Sequence, residues 1–147
     1  MIKLIQAFLT GIFFTFILDF FIFLGIKNNY IDFYEIDLYY NILFADNQNI
    51  YFFALSSVVI GFIFNYINNT KLSFIVIGLL SILSLSTLIP TIGHGLGEMM
   101  FMKKDVTYKN RKYVYRGDVY YNGRTKITFH DYELKKIIFL NKKDLIK

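Results

Sequence analysis

Three long apolar runs occupy the first 102 residues, and a chain that must hide such runs from water folds into or against a lipid bilayer. Residues 4–26 form the first run, 23 residues whose main polar interruptions are Gln6, Thr10, Thr15 and Asp19. At about 1.5 Å per residue a helix of that length covers ~30 Å of hydrocarbon. Asp19-Phe20-Phe21 stands where a cleaved signal peptide would carry small residues, so the run is expected to stay in the mature protein. Residues 50–67 form a second, shorter run with Ser56, Ser57, Gly61 and Asn65, and residues 72–92 a third that carries no charge. The short link Asn68-Asn69-Thr70-Lys71 makes runs two and three an expected antiparallel hairpin. Gly78, Ser81 and Ser84 are small residues at spacings of three, and Gly78 with Ser81 and Thr87 marks a face of the third run where another helix can approach closely.

The charge distribution divides the chain. Residues 1–102 carry three basic and six acidic side chains, net −3, whereas residues 103–147 carry thirteen basic and five acidic, net +8. The expected fold is therefore a membrane α-helical part of three transmembrane helices (residues 1–102) followed by a small basic β-rich tail (residues 103–147). The loop between runs one and two, residues 27–49, sets Asp32, Glu35, Asp37 and Asp46 among tyrosines and phenylalanines. That composition suits the membrane surface, with rings at headgroup level and carboxylates in water. With no Trp, any interfacial belt is built from the 12 Tyr and 17 Phe, and with no Cys there is no disulfide, thiolate nucleophile or Cys-type zinc site.

The tail alternates as strands do. Residues 113–121, then Asn122-Gly123, then residues 124–130 read as a β-hairpin closed by a type I′ turn, because Asn-Gly accepts positive φ. Gly117 predicts a bulge in its strand, and residues 132–140 and 105–109 predict two further strands. About 45 residues is near the lower limit for independent folding, so the tail is expected to lean on the membrane, the acidic loop or a partner.

Several residues are candidates for chemistry. An isolated carboxylate within a span costs about 2.5–3.5 kcal/mol on insertion scales, so Asp19 is expected to face protein or water; Asn65 is its obvious cross-helix partner, but its place near the end of its own run favours interfacial solvation instead. Gly93, His94, Gly95, Gly97 and Glu98 follow Pro90. Three alternate glycines disfavour regular helix and read as a hinge between the third span and the tail. If the helix instead continues, His94 and Glu98 share a face and a proton, or one edge of a metal site. Two ligands do not complete such a site, and neither a metal nor another cofactor is implied. The basic residues Lys103, Lys104, Arg111, Lys112, Arg116, Arg124 and Lys126, interleaved with tyrosines, suit anionic headgroups or a protein partner. The ordered aromatic pattern of an RNA-binding sheet is missing, and no nucleic-acid partner is expected. His130, Asp131 and Glu133 lack an accompanying Ser or Cys nucleophile, so no triad is argued.

Lys103, Lys104, Lys109, Arg111 and Lys112 directly follow the third run and favour a cytoplasmic tail in a multi-pass protein of the inner membrane. Lys3 and Lys71 argue the reverse and are outnumbered. The lack of a catalytic set favours a non-enzymatic accessory or scaffold subunit whose partners are membrane lipids and other membrane subunits. The alternatives are an oligomeric transport component built on Asp19 and a membrane-bound metal enzyme built on His94 and Glu98.

Overall fold

The structure, a computed structural model, describes residues 2–67, 69–110 and 112–146. Helix α1 (Ile2–Ile26) runs without interruption into a π turn, Lys27–Ile31, in which the Asp32 amide donates to the Lys27 carbonyl at 2.9 Å. Helices α2 (Tyr40–Asn47), α3 (Ile50–Tyr66), α4 (Thr70–Ser86) and α5 (Pro90–Phe101) follow. Asn49 starts α3 by accepting from the amides of Tyr51 (3.0 Å) and Phe52 (3.1 Å), Asn69 starts α4 by accepting from Leu72 (3.2 Å), and Pro90 occupies the first turn of α5.

Among the described residues only the continuous helix Ile2–Ile31 is by itself long and apolar enough to cross a membrane. The chain bends by 85° between α2 and α3 and by 84° between α4 and α5. The expectation of three straight spans is therefore met only in part. The run over residues 50–67 is α3, but the run over residues 72–92 breaks at residues 87–89, where Pro90 opens a new helix in a new direction. The segment 27–49 is likewise not an irregular loop, since it contains the π turn and α2.

Both α3 and α4 pack on α1. A Cβ at Gly11 would overlap the Ser57 carbonyl of α3, and a Cβ at Gly61 would overlap the Ala7 carbonyl of α1, so these two backbones touch through glycine. On the other side Ser84 Oγ donates to the Leu18 carbonyl at 2.5 Å and Thr87 Oγ1 to the Phe21 carbonyl at 3.1 Å. The close face expected on α4 is thus real at Ser84 and Thr87, whereas Gly78 has no atom within 4 Å of its Cβ position. The expected α3–α4 hairpin holds at its turn, where Ser73 Oγ donates to the Ile63 carbonyl at 3.2 Å, and beyond it the two helices diverge.

Burial divides α1 along its length. Ile2, Phe8 and Phe13 are 74%, 53% and 61% exposed, whereas Ile26, Tyr30 and Ile31 are fully buried. The buried end is the centre of a core formed with Phe23, Ile36, Leu43 and Tyr121, to which α2, α5 and the sheet all contribute.

The sheet has five antiparallel strands in the order β4-β3-β2-β1-β5: β1 (Lys103–Asn110), β2 (Val114–Asn122), β3 (Lys126–Asp131), β4 (Lys136–Asn141) and β5 (Leu145–Ile146). Val119, Ile127, Phe129 and Leu140 form its own small core. The expected hairpin is present, but Asn122 pairs with Ile127 and no glycine has positive φ. The Asn-Gly pair therefore does not form a two-residue type I′ turn, and residues 123–126 make a longer connection. Gly117 is not itself the bulge. It lies beside register shifts at residues 103–106 of β1 and 119–121 of β2, and a Cβ there would overlap the His130 carbonyl on β3. Asp131, 3% exposed, ends β3 by accepting at 2.8 Å from the amides of both Glu133 and Leu134, so the strand expected from residue 132 begins only at Lys136.

Candidate functional site

Two polar groupings stand out, and the first lies where helices meet sheet. Gly93, His94, Gly95, Gly97 and Glu98 all lie within regular helix α5 rather than in a hinge, because the bend comes ahead of them. Gly93 fits against Asn29 and the Thr87 and Gly25 carbonyls, and Gly97 fits under the Tyr30 ring. Packing against α1 and its π turn thus offsets the low helix preference of glycine. Gly95 faces open space. The helix puts His94 and Glu98 on one face, with His94 Nε2 3.6 Å from Glu98 Oε1. His94 Nδ1 lies 2.9 Å from the Asn29 carbonyl, and its ring is enclosed by Phe33, Tyr34 and Tyr30 at centroid distances of 4.7, 5.4 and 5.6 Å. The side chains continue as a ladder into the sheet: Tyr34 packs on Tyr120 at 4.0 Å with the rings tilted by 33°, and Tyr120 stacks on His130 at 5.9 Å. Among the described residues no group of three or more His, Cys, Asp or Glu side chains gathers to hold a metal.

This ladder is also a clamp. Tyr30 Oη donates to the Tyr120 carbonyl at 2.8 Å, Asn47 Nδ2 to Tyr121 Oη at 3.2 Å, and Arg124 Nε to Asp46 Oδ2 at 2.8 Å as part of a two-pronged ion pair. The tail therefore leans on the acidic segment through Asp46. Burial pushes the Tyr121 phenol up from its ordinary value, as expected for a ring wedged between α2 and the sheet.

The second grouping surrounds Asp19. Gln48 Nε2, at the corner between α2 and α3, donates to Asp19 Oδ2 at 2.9 Å. Asn65 is not its partner, since its Nδ2 donates at 3.1 Å to the Gly61 carbonyl of its own helix. One turn from Asp19, Thr15 is 2% exposed and its hydroxyl has no hydrogen-bond partner among the described residues. Both residues line a cleft of about 620 Å³ between the diverging α3 and α4.

The basic residues do not form one patch. Arg116 is paired with Asp105 within the sheet, through Nε at 2.8 Å and Nη2 at 3.1 Å, and Arg124 with Asp46, while Lys103, Lys104, Lys112 and Lys126 are exposed and free of ion pairs among the described residues. Arg111 lies outside the described residues. The Arg116 guanidinium hydrogen-bonds Asp105 and holds its carboxyl below the usual aspartate range. A carboxylate with a lowered folded-state pKa stabilises fully above its unfolded value and loses that contribution as pH falls through the lowered one. Acid titration below pH ~4 is therefore expected to loosen the β1–β2 pair. Arg116→Ala should remove that part of the acid dependence, which amide exchange at Val106 and Gly117 reads.

No family model, curated protein or solved structure matches the chain. Sequence reasoning missed Gln48 and Tyr30. Gln48 adjoins the capping Asn49, a local signal for a helix corner, and Tyr30 sits one helical turn past Ile26 at a spacing that continues the buried face of α1.

Proposed function

We propose that the protein is an integral membrane accessory or scaffold subunit, which holds a small sheet rigidly at the membrane surface as a platform within a larger assembly. In this reading the exposed half of α1, together with α3 and α4, crosses the bilayer as a thin three-helix layer. α3 and α4 have 17 residues each, or ~25 Å, at the short end of the spanning range. Their outward faces support it, with Phe52, Leu55, Phe62, Phe74, Leu79 and Leu83 all more than half exposed. The two bends then lie at one level, where Asp19 and Gln48 meet, so Asp19 sits at the interface and its insertion cost is relieved. The upper end of α1, α2, α5 and the sheet stand on that same side in this reading, and the tail's lysines, free of ion pairs among the described residues, support a cytoplasmic side for it.

The observation that carries this reading is the clamp of Tyr30, Asn47 and Asp46 on β2 and the turn that follows it. A sheet tethered for catalysis needs a cleft with converging reactive groups, whereas one fixed at three points presents a surface in a set orientation. In mild detergent the 17.4 kDa chain is expected to migrate in a larger complex of defined stoichiometry, and its deletion to lower the abundance of the partner subunits. A lone monomer whose deletion leaves every other membrane protein unchanged overturns the proposal.

A further inference from the structure

The cleft between α3 and α4 has the construction of a binding site for an amphiphile. Its floor is α1 at Thr15, Leu18, Asp19 and Ile22, and its walls are mainly apolar side chains of α3 and α4, with Ser56, Ser84 and Ser86 among them. At about 620 Å³ it falls within the range of small-ligand sites, which combine apolar walls with a few converging polar groups. It opens sideways between Leu55 and Leu83, which are 63% and 65% exposed. Helix α5, turned by 84° from α4, lays Ile92 and Leu96 across one end. Ile92 and Leu96 lie at the Asp19–Ile22 end, so a ligand with its head on Asp19 runs its chain the other way, along α1 toward Thr15.

The polar groups specify the head of such a ligand. Asp19 uses Oδ2 for Gln48, while Oδ1 has no hydrogen bond and the carboxylate no cation among the described residues. Thr15, one turn further along the floor, has an almost fully buried hydroxyl without a partner among the described residues. A carboxylate half-satisfied beside apolar walls is complementary to an ammonium group that donates several hydrogen bonds. We infer that the cleft binds an aminophospholipid, with its primary ammonium on Asp19 and one acyl chain along α1 between α3 and α4. This rests on the proposed membrane insertion, and the two fail separately.

The test uses the full chain purified in detergent, with dioleoyl-phosphatidylethanolamine or dioleoyl-phosphatidylglycerol added and the adducts counted by native mass spectrometry. The ethanolamine lipid is expected as a single adduct about fivefold more abundant than the glycerol lipid. Asp19→Asn, which keeps an acceptor for Gln48, should bring the two to equality. Leu55→Trp, which fills the cleft from a half-exposed position and leaves Asp19 alone, should lower both. If Asp19→Asn does not fold, the Leu55→Trp result decides. Equal adducts on the wild type, adducts unaffected by Leu55→Trp, or a dimer mass without lipid each overturn the site, the last in favour of a second copy as occupant. Alkaline carbonate extraction of cell membranes separates the underlying reading. Release of the chain overturns membrane insertion, while retention without lipid preference overturns the lipid site alone.

Discussion

Gly11→Val should abolish most folded protein, because its new side chain must enter space held by the Ser57 carbonyl of α3. Backbone cannot step aside as a flexible side-chain end can, so the cost lies at or above the upper end of the ~1–3 kcal/mol typical of overpacking. The loss also removes the close backbone contact of α1 with α3. Gly78→Val is the matched control: the same change, on a glycine with nothing within 4 Å of its Cβ position, should leave folding intact. Fluorescence-detected size-exclusion chromatography of detergent extracts before and after heating compares the two. Equal, monodisperse peaks for both variants would overturn the α1–α3 packing described above.

Tyr30→Ala should detach the sheet from the helices while leaving the apolar helical layer assembled. Tyr30 is fully buried, and its ring covers Gly97 and packs beside Tyr34, Phe101 and His94. Removing a buried aromatic ring costs about 3–5 kcal/mol, a large share of the stability of any small domain. The second variant separates hydroxyl from ring. Tyr30→Phe loses only the hydrogen bond to the partly buried Tyr120 carbonyl, a cost of about 1 kcal/mol. Limited proteolysis should therefore cut between Met102 and Lys103 readily in the alanine variant, more slowly in the phenylalanine variant and slowest in the wild type.

The apolar runs and the alternating tail were legible because period and length are local properties of sequence. The level at which α1 leaves the apolar layer was not, since Phe23, Ile26 and Ile31 are as apolar as Phe8 and Phe13 although they are buried in protein. Lipid and protein interior make the same demand on a side chain, and only the fold tells them apart. The glycines at 93, 95 and 97 were misread for a related reason. Their intrinsic preference disfavours helix, but two of them are the places where α5 meets Thr87 and Tyr30, and tertiary contact overrides propensity. The Asn-Gly turn shows the same priority, because the register set by Ile127 and Phe129 facing the core displaced the local turn preference. Of the candidate residues, Asp19 and the His94–Glu98 pair could be named in advance. Gln48, Tyr30 and the Asp46–Arg124 bridge are joined across tens of residues of chain and carry no mark of one another in the sequence.

The π turn at Lys27–Ile31 holds one residue more than an α-helix would use over the same rise, which makes it a one-residue insertion preserved inside a helix. Each residue in an α-helix turns the chain by about 100°. Deleting Asn28 to restore regular helix would therefore swing Asn29 and Tyr30 about a quarter-turn around the axis, carrying Asn29 away from the Thr87 carbonyl and Tyr30 away from Tyr120. The extra residue works as an indexing step: the helix before it carries the exposed apolar face, the Tyr30 ring within it answers to the sheet, and their relative angle is set by a single surplus amino acid.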